Sequence, residues 1–221
     1  VFLEKFIKNA RHIEIQIFGF GEKKAVHFYE RDCSIQRRFQ KIIEESPAPK
    51  VGSDIINKMS ESAVNFASNQ KYEGAGTIEF IYDVDEKKFY FLEMNTRIQV
   101  EHPVTESITN SDLVEMQIKF ALGIDTNLTE QNKINRTGHA IECRLYAEDP
   151  SKNFLPSPGK ISKLKIPNTN LANIRLDIGV DEGDEISFYY DPMIAKIIAK
   201  GSTRVESIKN MLQYLKEFEI E

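Results

Sequence analysis

The sequence predicts an α+β fold in which mostly antiparallel strands are segregated from helices, on the basis of three observations. Residues 11–18 (RHIEIQIF) alternate apolar and polar side chains, which is typical of a half-buried strand. Residues 53–69 repeat apolar side chains at helical spacing, and Ser53 is a suitable N-cap. Beyond residue 137 the chain consists of short strand-like runs separated by turn residues, until one last helix. This order differs from the strict strand–helix alternation of a parallel sheet.

The first part of the chain is predicted to be mainly extended. Residues 1–7 have the pattern of a strand already in progress, so we expect that a longer chain precedes them. A turn at residues 19–22 leads into a second strand at residues 25–30. Residues 36–43 fit either a strand or a helix, and a proline-rich segment ends this element.

A hairpin and a further helix are predicted in the middle of the chain. Residues 77–82 and 89–93 are strand-like and are joined by a charged turn. The next helix is predicted to begin at Ser111, its N-cap, and to run to Leu122 before the stop signal Gly123.

A polar stretch without periodicity predicts a domain boundary, which divides the chain into residues 1–130 and 131–221. The second domain is predicted to end in a helix, because Thr203 and Glu206 form a capping box. Its strands are predicted at residues 139–146, 160–166, 174–178, 185–188 and 193–200.

Composition and charge exclude several classes of function. The chain has 221 residues, of which 41% are hydrophobic and 29% charged, as in an ordinary globular protein. Its net charge of −5 predicts no nucleic-acid partner. No apolar run approaches the roughly 18 residues of a membrane span, so no membrane partner is expected. Cys33 and Cys143 lack the spacing of zinc ligands and fit a reducing compartment.

Two carboxylates interrupt the apolar strands of the predicted hairpin. If Tyr82 pairs with Tyr90, Glu79 lies directly opposite Glu93, and two like charges about 5 Å apart are destabilising without a cation between them. Asn95 projects to the same face if the strand continues. Two carboxylates and an amide oxygen are suitable ligands for Mg²⁺. The alternative is that both glutamates lie on a solvated face, and spacing alone does not decide between the two.

Two other charged groups have the same ambiguity. Arg97 and Glu101 form either a surface ion pair or an oxyanion site with a general base. Arg37, Arg38 and Lys41 form either a solvated face or a phosphate-binding patch. In an acidic chain, the patch is the favoured interpretation.

The run EMNTRIQVEHPVTE at residues 93–106 closely resembles the biotin carboxylase family of the ATP-grasp superfamily. Further stretches match this family in the same order, namely ERDCSIQRRFQKIIEESPAP (30–49), GAGTIEF (74–80), HAIECRLYAEDP (139–150), FLPSPGKI (154–161) and YDPMIAKII (190–198). The resemblance covers nearly the whole chain. It implies the rear part of an ATP-grasp domain, an antiparallel sheet with flanking helices, followed by a biotin carboxylase C-terminal domain of antiparallel strands with a terminal helix.

The resemblance also implies the reaction and the molecules that take part in it. The expected activity is the ATP- and bicarbonate-dependent carboxylation of biotin, through carboxyphosphate, as the first half-reaction of an acyl-CoA, pyruvate or urea carboxylase. The implied cofactors are ATP, Mg²⁺ or Mn²⁺, and biotin attached to a biotin carboxyl carrier protein or domain. The implied partners are a carboxyltransferase and further copies of the enzyme, in the bacterial cytoplasm or the mitochondrial matrix.

By the same resemblance, one set of residues binds the nucleotide and its metal ions. The Mg²⁺ ligands are Glu79, Glu93 and Asn95. The nucleotide contacts are Glu4, Lys5 and Ile7 around adenine, and His12 and Gln36 near the ribose and phosphates.

A second set acts on bicarbonate and biotin. Lys41 contacts the terminal phosphate or bicarbonate, and Glu101 is the base that deprotonates bicarbonate. The remaining implied contacts are Arg97 with the backbone at Gln99 and Val100 for bicarbonate, and Arg144 for the biotin enolate.

Two departures from the family pattern affect these expectations. Phe39 stands where the family usually has a polar side chain, often histidine, so nucleotide affinity is expected to differ. The family's N-terminal domain and glycine-rich lid precede the region that begins at Val1, so we expect this chain to be inactive by itself. Another ATP-grasp carboxylate ligase and a non-catalytic remnant of the fold remain alternatives.

Overall fold

The computed structural model describes residues 1, 3–167 and 173–221, which form two compact units, Val1–Thr137 and Gly138–Glu221. The predicted boundary after residue 130 falls inside the first unit. The reason is that Gln131 begins a short 3-10 helix, and its side chain both donates to and accepts from the backbone of His27. Among the described residues, no helix is long and apolar enough to cross a membrane.

The first unit contains an antiparallel sheet in the order β3-β2-β1-β4-β5, with helices packed against it. The strands are β1 (Ala10–Phe20), β2 (Ala25–Arg37), β3 (Gln40–Ser46), β4 (Glu73–Asp83) and β5 (Lys88–Asn95). The helices are α1 (Ser53–Asn69), α2 (His102–Thr109) and α3 (Leu113–Ala121). This combination confirms the predicted α+β class.

The central strand β1 is buried on both faces, although its sequence predicts burial on one. Ile13 and Ile15 face α1 and pack in one core with Met59. The polar residues between them, Glu14 and Gln16, are nonetheless 0% exposed. Alternation shows which residues share a face, but it does not show whether the polar face meets water or other polar groups.

The ambiguous segment at residues 36–43 is a β-hairpin. Arg37 pairs with Gln40, and the two residues between them, Arg38 and Phe39, have φ of +51° and +65°. Positive φ at both central positions is the backbone of a type I′ turn. Such turns favour glycine and asparagine, so an Arg-Phe pair gives no hairpin signal in the sequence.

Three predictions of elements or their ends in the first unit were wrong. Residues 1 and 3–7 form no strand. Helix α1 has the predicted span, but its N-cap is Gly52 rather than Ser53, so no side chain caps this end of the helix. Helix α3 begins after Asp112, whose carboxylate accepts from the backbone of Glu115, rather than at Ser111.

Helix α2, which follows directly after Glu101, was not predicted. It has eight residues, and Thr105 and Glu106 are buried on it beside Val104 and Ile108. A short helix that buries polar side chains has no continuous apolar face, which is the feature that periodicity detects.

The second unit contains an antiparallel sheet in the order β11-β13-β6, and its last helix, α4, is followed by the short strand β14. Its larger elements are β6 (His139–Tyr146), β11 (Ile174–Ile178), β13 (Met193–Gly201) and α4 (Arg204–Glu217). Its short strands are β7 (Glu148–Asp149), β8 (Leu155–Pro156), β9 (Gly159–Lys160), β10 (Leu164–Lys165), β12 (Glu185–Ile186) and β14 (Glu219–Ile220). The predicted strand at 160–166 is therefore two strands, while Thr203 caps α4 as predicted.

Candidate active site

The hairpin of β4 and β5 brings the two predicted carboxylates face to face. Glu79 is the strand partner of Glu93, as predicted, but the register shifts between Glu79 and Phe80. Phe80 rather than Ile81 therefore pairs with Phe91, so the uniform register assumed from the sequence was wrong. The two carboxylates also differ in environment, because Glu79 is 4% exposed whereas Glu93 is exposed to solvent.

Lys41 joins three carboxylates from three parts of the first unit. Its Nζ lies 2.7 Å from Oε2 of Glu14, 2.9 Å from Oε1 of Glu79 and 2.6 Å from Oε1 of Glu101. We call these four residues the carboxylate cluster. Sequence reasoning placed Lys41, Glu79 and Glu101 in the site but missed Glu14, which has the pattern of a solvated residue on β1.

Opposite charges keep Glu14, Glu79 and Lys41 ionised despite their burial. Burial by itself raises the pKa of the Glu14 carboxyl, but the charges of Arg31 and Lys41 outweigh it and lower this pKa to about 2. Burial also acts to raise the pKa of Glu79, which the hydrogen bond from His12 and the charge of Lys41 lower to about 2. Burial favours neutral Lys41, yet the carboxylates, led by Glu14, raise its pKa above the usual value.

His12 and Gln36 form one side of the cluster. Nε2 of His12 lies 2.8 Å from Oε2 of Glu79, and its Nδ1 lies 2.9 Å from Nε2 of Gln36. Gln36 is held in turn by the carbonyl oxygen of Cys33, to which its amide donates at 2.7 Å. The structure therefore brings these two predicted nucleotide contacts together beside a predicted metal ligand.

Glu93, Asn95 and Arg97 lie along the outer strand and just beyond it, and we call them the β5 edge. The amide nitrogen of Asn95 donates to Oε1 of Glu79 at 3.0 Å and to Oε1 of Glu93 at 3.2 Å. Exposed Arg97 donates to Oδ1 of Asn95 at 3.2 Å and to the carbonyl oxygen of Ile98 at 3.2 Å. The β5 edge thus connects the carboxylate cluster to an exposed guanidinium group.

The segment from Gln99 to Glu101 connects the β5 edge to α2. The side chain of Gln99 is 5% exposed, and its amide nitrogen donates to Oε1 of Glu79 at 2.8 Å. Nδ1 of His102 lies 2.8 Å from the carbonyl oxygen of Gln99, which holds this turn from the helix side. Val100 is half-buried between Gln99 and Glu101, and Glu101 is 2% exposed.

Arg31 on β2 is a site component that sequence reasoning missed. Its side chain is 0% exposed, and it donates five hydrogen bonds to side chains of the first unit. The acceptors are Glu14, Gln16, Thr77, Gln99 and Thr105. Arg31 follows directly after the strand predicted at residues 25–30 and stands between Glu30 and Asp32, so its neighbours in the sequence give no sign of its burial.

Glu4, Lys5 and Ile7 meet at a second location in the first unit. They line a cavity of about 260 Å³ together with Ile81, Tyr90, Phe91 and Leu92. Nζ of Lys5 lies 2.6 Å from Oε1 of Glu86 and 5.7 Å from the centre of the Tyr90 ring. This combination of flat apolar walls and a few polar groups is typical of small-molecule sites.

Arg144 belongs to the second unit. It lies half-buried on β6, where Lys196 of β13 is its strand partner.

Comparison with known sequence families identifies both parts of the chain. Residues 1–129 match the family described as the carbamoyl-phosphate synthase L chain, ATP-binding domain, and residues 142–221 match the biotin carboxylase C-terminal domain. The chain belongs to the biotin carboxylase family. The ATP-grasp assignment of its first domain is confirmed with it.

Similar biotin carboxylases and carboxylase subunits occur in bacteria and animals. The chain is 51% identical over 221 residues to Biotin carboxylase 1 of Bacillus subtilis, covering 100% of this chain and 48% of the relative. It is 48% identical over 218 residues to the mitochondrial methylcrotonoyl-CoA carboxylase subunit alpha of Mus musculus, covering 99% of this chain and 30% of the relative. The chain thus spans less than half the length of either relative.

A solved structure shares the fold. The biotin carboxylase domain of Hydrogenobacter thermophilus 2-oxoglutarate carboxylase, in complex with MgADP, ADP and bicarbonate, has a TM-score of 0.93 and 42% identity. The match covers 99% of this chain and 47% of that one.

The β5 edge and Glu79 have the ligand chemistry that Mg²⁺ requires. Glu79 and Glu93 provide carboxylate oxygens, and the Asn95 side chain touches both. In the structure the amide nitrogen of Asn95 faces the carboxylates. A metal ion at this position requires the opposite amide orientation, with Oδ1 turned inward. The donor set of this biotin carboxylase chain therefore fits a divalent cation.

Proposed function

We propose that the protein to which this chain belongs uses ATP and bicarbonate to carboxylate biotin attached to a carrier protein or domain. The observation that carries this proposal is the contact of Lys41 with Glu79 and Glu101, a candidate metal ligand and a candidate base. The alternation of cationic and anionic groups suits a reaction in which negative charge moves between phosphate and carbonate oxygens.

Glu79, Glu93 and Asn95 would hold Mg²⁺, or Mn²⁺ in its place. When bound, the metal would neutralise the negative charge that develops on the phosphate groups of ATP. The adenine ring would enter the cavity lined by Glu4, Lys5 and Ile7, whose remaining walls are apolar or aromatic. His12 and Gln36 would contact the ribose and phosphates, and Lys41 would contact the terminal phosphate or bicarbonate. The position of all these groups in one unit supports the assignment.

Arg97 would bind bicarbonate together with the backbone at Gln99 and Val100. Its guanidinium group is exposed and its planar fork matches a planar oxyanion. Glu101 would then take the proton of bicarbonate, because its carboxylate lies next to Lys41 on the segment that follows Arg97. The deprotonated oxygen attacks the γ-phosphorus, and the bond to ADP breaks to form carboxyphosphate.

Carboxyphosphate then breaks down to CO₂ and phosphate, and the phosphate removes a proton from the ureido nitrogen of biotin. The enolate of biotin attacks CO₂ to form carboxybiotin. Arg144 would stabilise the enolate through its positive charge.

A biotin carboxyl carrier, a carboxyltransferase and a second copy of the enzyme are the proposed partners, in the bacterial cytoplasm or the mitochondrial matrix. The mitochondrial and bacterial relatives support this set.

Bicarbonate dependence of ATP cleavage in the intact enzyme tests the proposal. With free biotin or carrier protein present, we expect ADP formation to require bicarbonate and one phosphate to appear for each carboxybiotin. ATP cleavage that ignores bicarbonate but requires a different carboxylate would show another ATP-grasp ligase. The matched control is the same enzyme in bicarbonate-depleted buffer with added formate, an oxyanion that cannot supply a carboxyl group to biotin.

A further inference from the structure

Arg31 uses all of its donor capacity inside the protein. A guanidinium group carries five N–H donors and no acceptor. Nε donates to Glu14 at 2.5 Å, while Nη1 donates to Gln16 and Thr105 at 2.6 and 3.1 Å. Nη2 donates to Thr77 and Gln99, both at 3.0 Å. With no donor left and 0% exposure, Arg31 cannot itself touch a substrate.

One chain of contacts runs from Arg31 to the candidate metal ligand Glu79. Because arginine can only donate, Gln99 must turn its amide oxygen towards Arg31. This orientation points the amide nitrogen of Gln99 at Oε1 of Glu79, to which it donates at 2.8 Å. Arg31 therefore fixes both the rotation of the Gln99 amide and one hydrogen bond on Glu79.

A second chain runs from Arg31 to Lys41 through Glu14. Arg31 holds Oε1 of Glu14, and Oε2 of the same carboxylate accepts from Nζ of Lys41 at 2.7 Å. Two cations therefore share one buried carboxylate, and each oxygen has a fixed partner. Loss of the Arg31 fork would free Glu14 to rotate and would shift the ammonium group of Lys41.

We propose that Arg31 is a positioning residue of the active site, which orients Glu79 through Gln99 and Lys41 through Glu14. The inference rests on the proposed function, from which it takes Glu79 as a metal ligand and Lys41 as a phosphate contact. It states that the protein groups proposed to bind the metal and the phosphate are held in position by a buried arginine, which itself contacts neither the metal nor the phosphate.

The test uses the intact enzyme with Arg31→Lys, which keeps the charge and removes the planar fork. Loss of groups that orient metal ligands typically lowers metal affinity about 10–100-fold, and we expect a decrease of this size for Mn²⁺ binding in the presence of ADP. Mn²⁺ binding is measured by electron paramagnetic resonance. Binding of ADP alone, in the presence of EDTA, is expected to stay at the parent value.

Arg11→Lys is the matched control, because Arg11 is also a partly buried arginine of the sheet with an ion-pair partner. Its guanidinium group bonds Asp32 and the carbonyl oxygen of Pro49 and, among the described residues, makes no hydrogen bond or ion pair with a proposed site residue. We expect parent-like Mn²⁺ affinity from this control. Equal Mn²⁺ affinity for Arg31→Lys and the parent, with both folded, would overturn the proposal, and so would equal losses in the two variants.

Gln99→Met gives a second route if Arg31→Lys does not fold. It removes the bridging amide, leaves four acceptors for Arg31, and is expected to lower Mn²⁺ affinity in the presence of ADP. Parent-like affinity would show that Arg31 does not act on Glu79 through Gln99. If both variants fold, their effects should be less than additive, because they break the same chain of contacts.

The binding measurements also separate this inference from the proposed reaction. A parent enzyme that cleaves ATP without bicarbonate would refute the reaction, while the Mn²⁺ comparison between Arg31→Lys and Arg11→Lys would still decide the role of Arg31.

Discussion

The carboxylate cluster and the β5 edge are neighbours, but the charges of the cluster are paired inside the protein, whereas the charges of the edge are exposed to solvent. In the cluster, Glu14, Glu79 and Glu101 are at most 4% exposed, and each has a partner on Lys41. On the β5 edge, Glu93 and Arg97 are exposed and are joined by the amide of Asn95 alone. The cluster is balanced from within the protein, whereas the edge keeps charge available to a ligand.

This difference separates stability from binding. Removing one partner of a buried ion pair leaves a charge that neither water nor protein compensates. An exposed charge loses little on folding, so its removal costs little stability but can remove a ligand contact. Variants in the two regions should therefore affect different measurements, and the following experiments test this division.

The largest effect on stability is expected for Lys41→Met. This change leaves three buried carboxylates close together, and breaking a buried pair in this way typically costs about 3–5 kcal/mol. The midpoint of urea unfolding at neutral pH measures it. Lys24→Met is the matched control, because Lys24 pairs with Glu130 on the surface and its loss should leave the midpoint nearly unchanged. Similar midpoints for the two variants would contradict the buried role of Lys41.

Acid sensitivity should come next in size, and Glu14→Gln tests it. The pKa of Glu14 is about 2 in the folded protein against an ordinary 4.5, so its contribution is complete above pH 4.5 and is lost as the pH falls towards 2. A carboxylate shifted in this way contributes on the order of 2–3 kcal/mol. Urea unfolding over this range should show a shallower pH dependence in Glu14→Gln than in the parent. An unchanged slope would show that Glu14 is not held ionised.

His27 provides a smaller effect and a contrast with the cluster, since burial acts on it without an opposite charge. Burial, followed by the charge of Arg136, lowers the pKa of His27 from 6.5 to about 4. The folded state favours the neutral ring. The contribution of His27 to the free energy of unfolding is therefore complete above pH 6.5 and is lost as the pH falls to about 4. We expect His27→Gln to reduce that loss by on the order of 1–2 kcal/mol. Thermal unfolding at several pH values measures it, and parallel curves would refute it.

The smallest effect on stability is expected for Glu93→Gln on the β5 edge. Exposed substitutions of this kind usually change stability by less than about 0.5 kcal/mol. The same change should nevertheless weaken Mn²⁺ binding in the presence of ADP, because it removes one carboxylate ligand. A Glu93→Gln variant that is destabilised but binds Mn²⁺ normally would contradict the claim that the β5 edge acts in binding rather than in stability.

The sequence predicts those residues of the site whose neighbours follow from local structure, that is, from the alternation of a strand and the length of a turn. Strand alternation and a short turn are enough to place Glu79 opposite Glu93, even though a register shift alters the pairs on one side. The family resemblance then adds roles for Arg97 and Glu101, which spacing alone leaves open.

The parts that the sequence does not predict depend on distant contacts. Glu14 has the pattern of an ordinary polar residue in a strand, and Arg31 follows directly after the strand predicted at residues 25–30. Both are buried among hydrogen-bond partners that lie up to 74 residues away along the chain. Helix α2 escapes detection for the same reason, since its buried Thr105 accepts a hydrogen bond from Arg31, which lies 74 residues away along the chain. Periodicity identifies faces, but it does not identify what covers them.

Glu101→Gln in the intact enzyme tests the central claim most directly. Loss of a general base typically lowers a rate by about 10²–10⁴, and we expect bicarbonate-dependent ATP cleavage and biotin carboxylation to fall together within this range. Mn²⁺ binding in the presence of ADP should persist, because Glu101 is not among the proposed ligands. A carboxylation rate equal to that of the parent would contradict the assignment of Glu101 as the base.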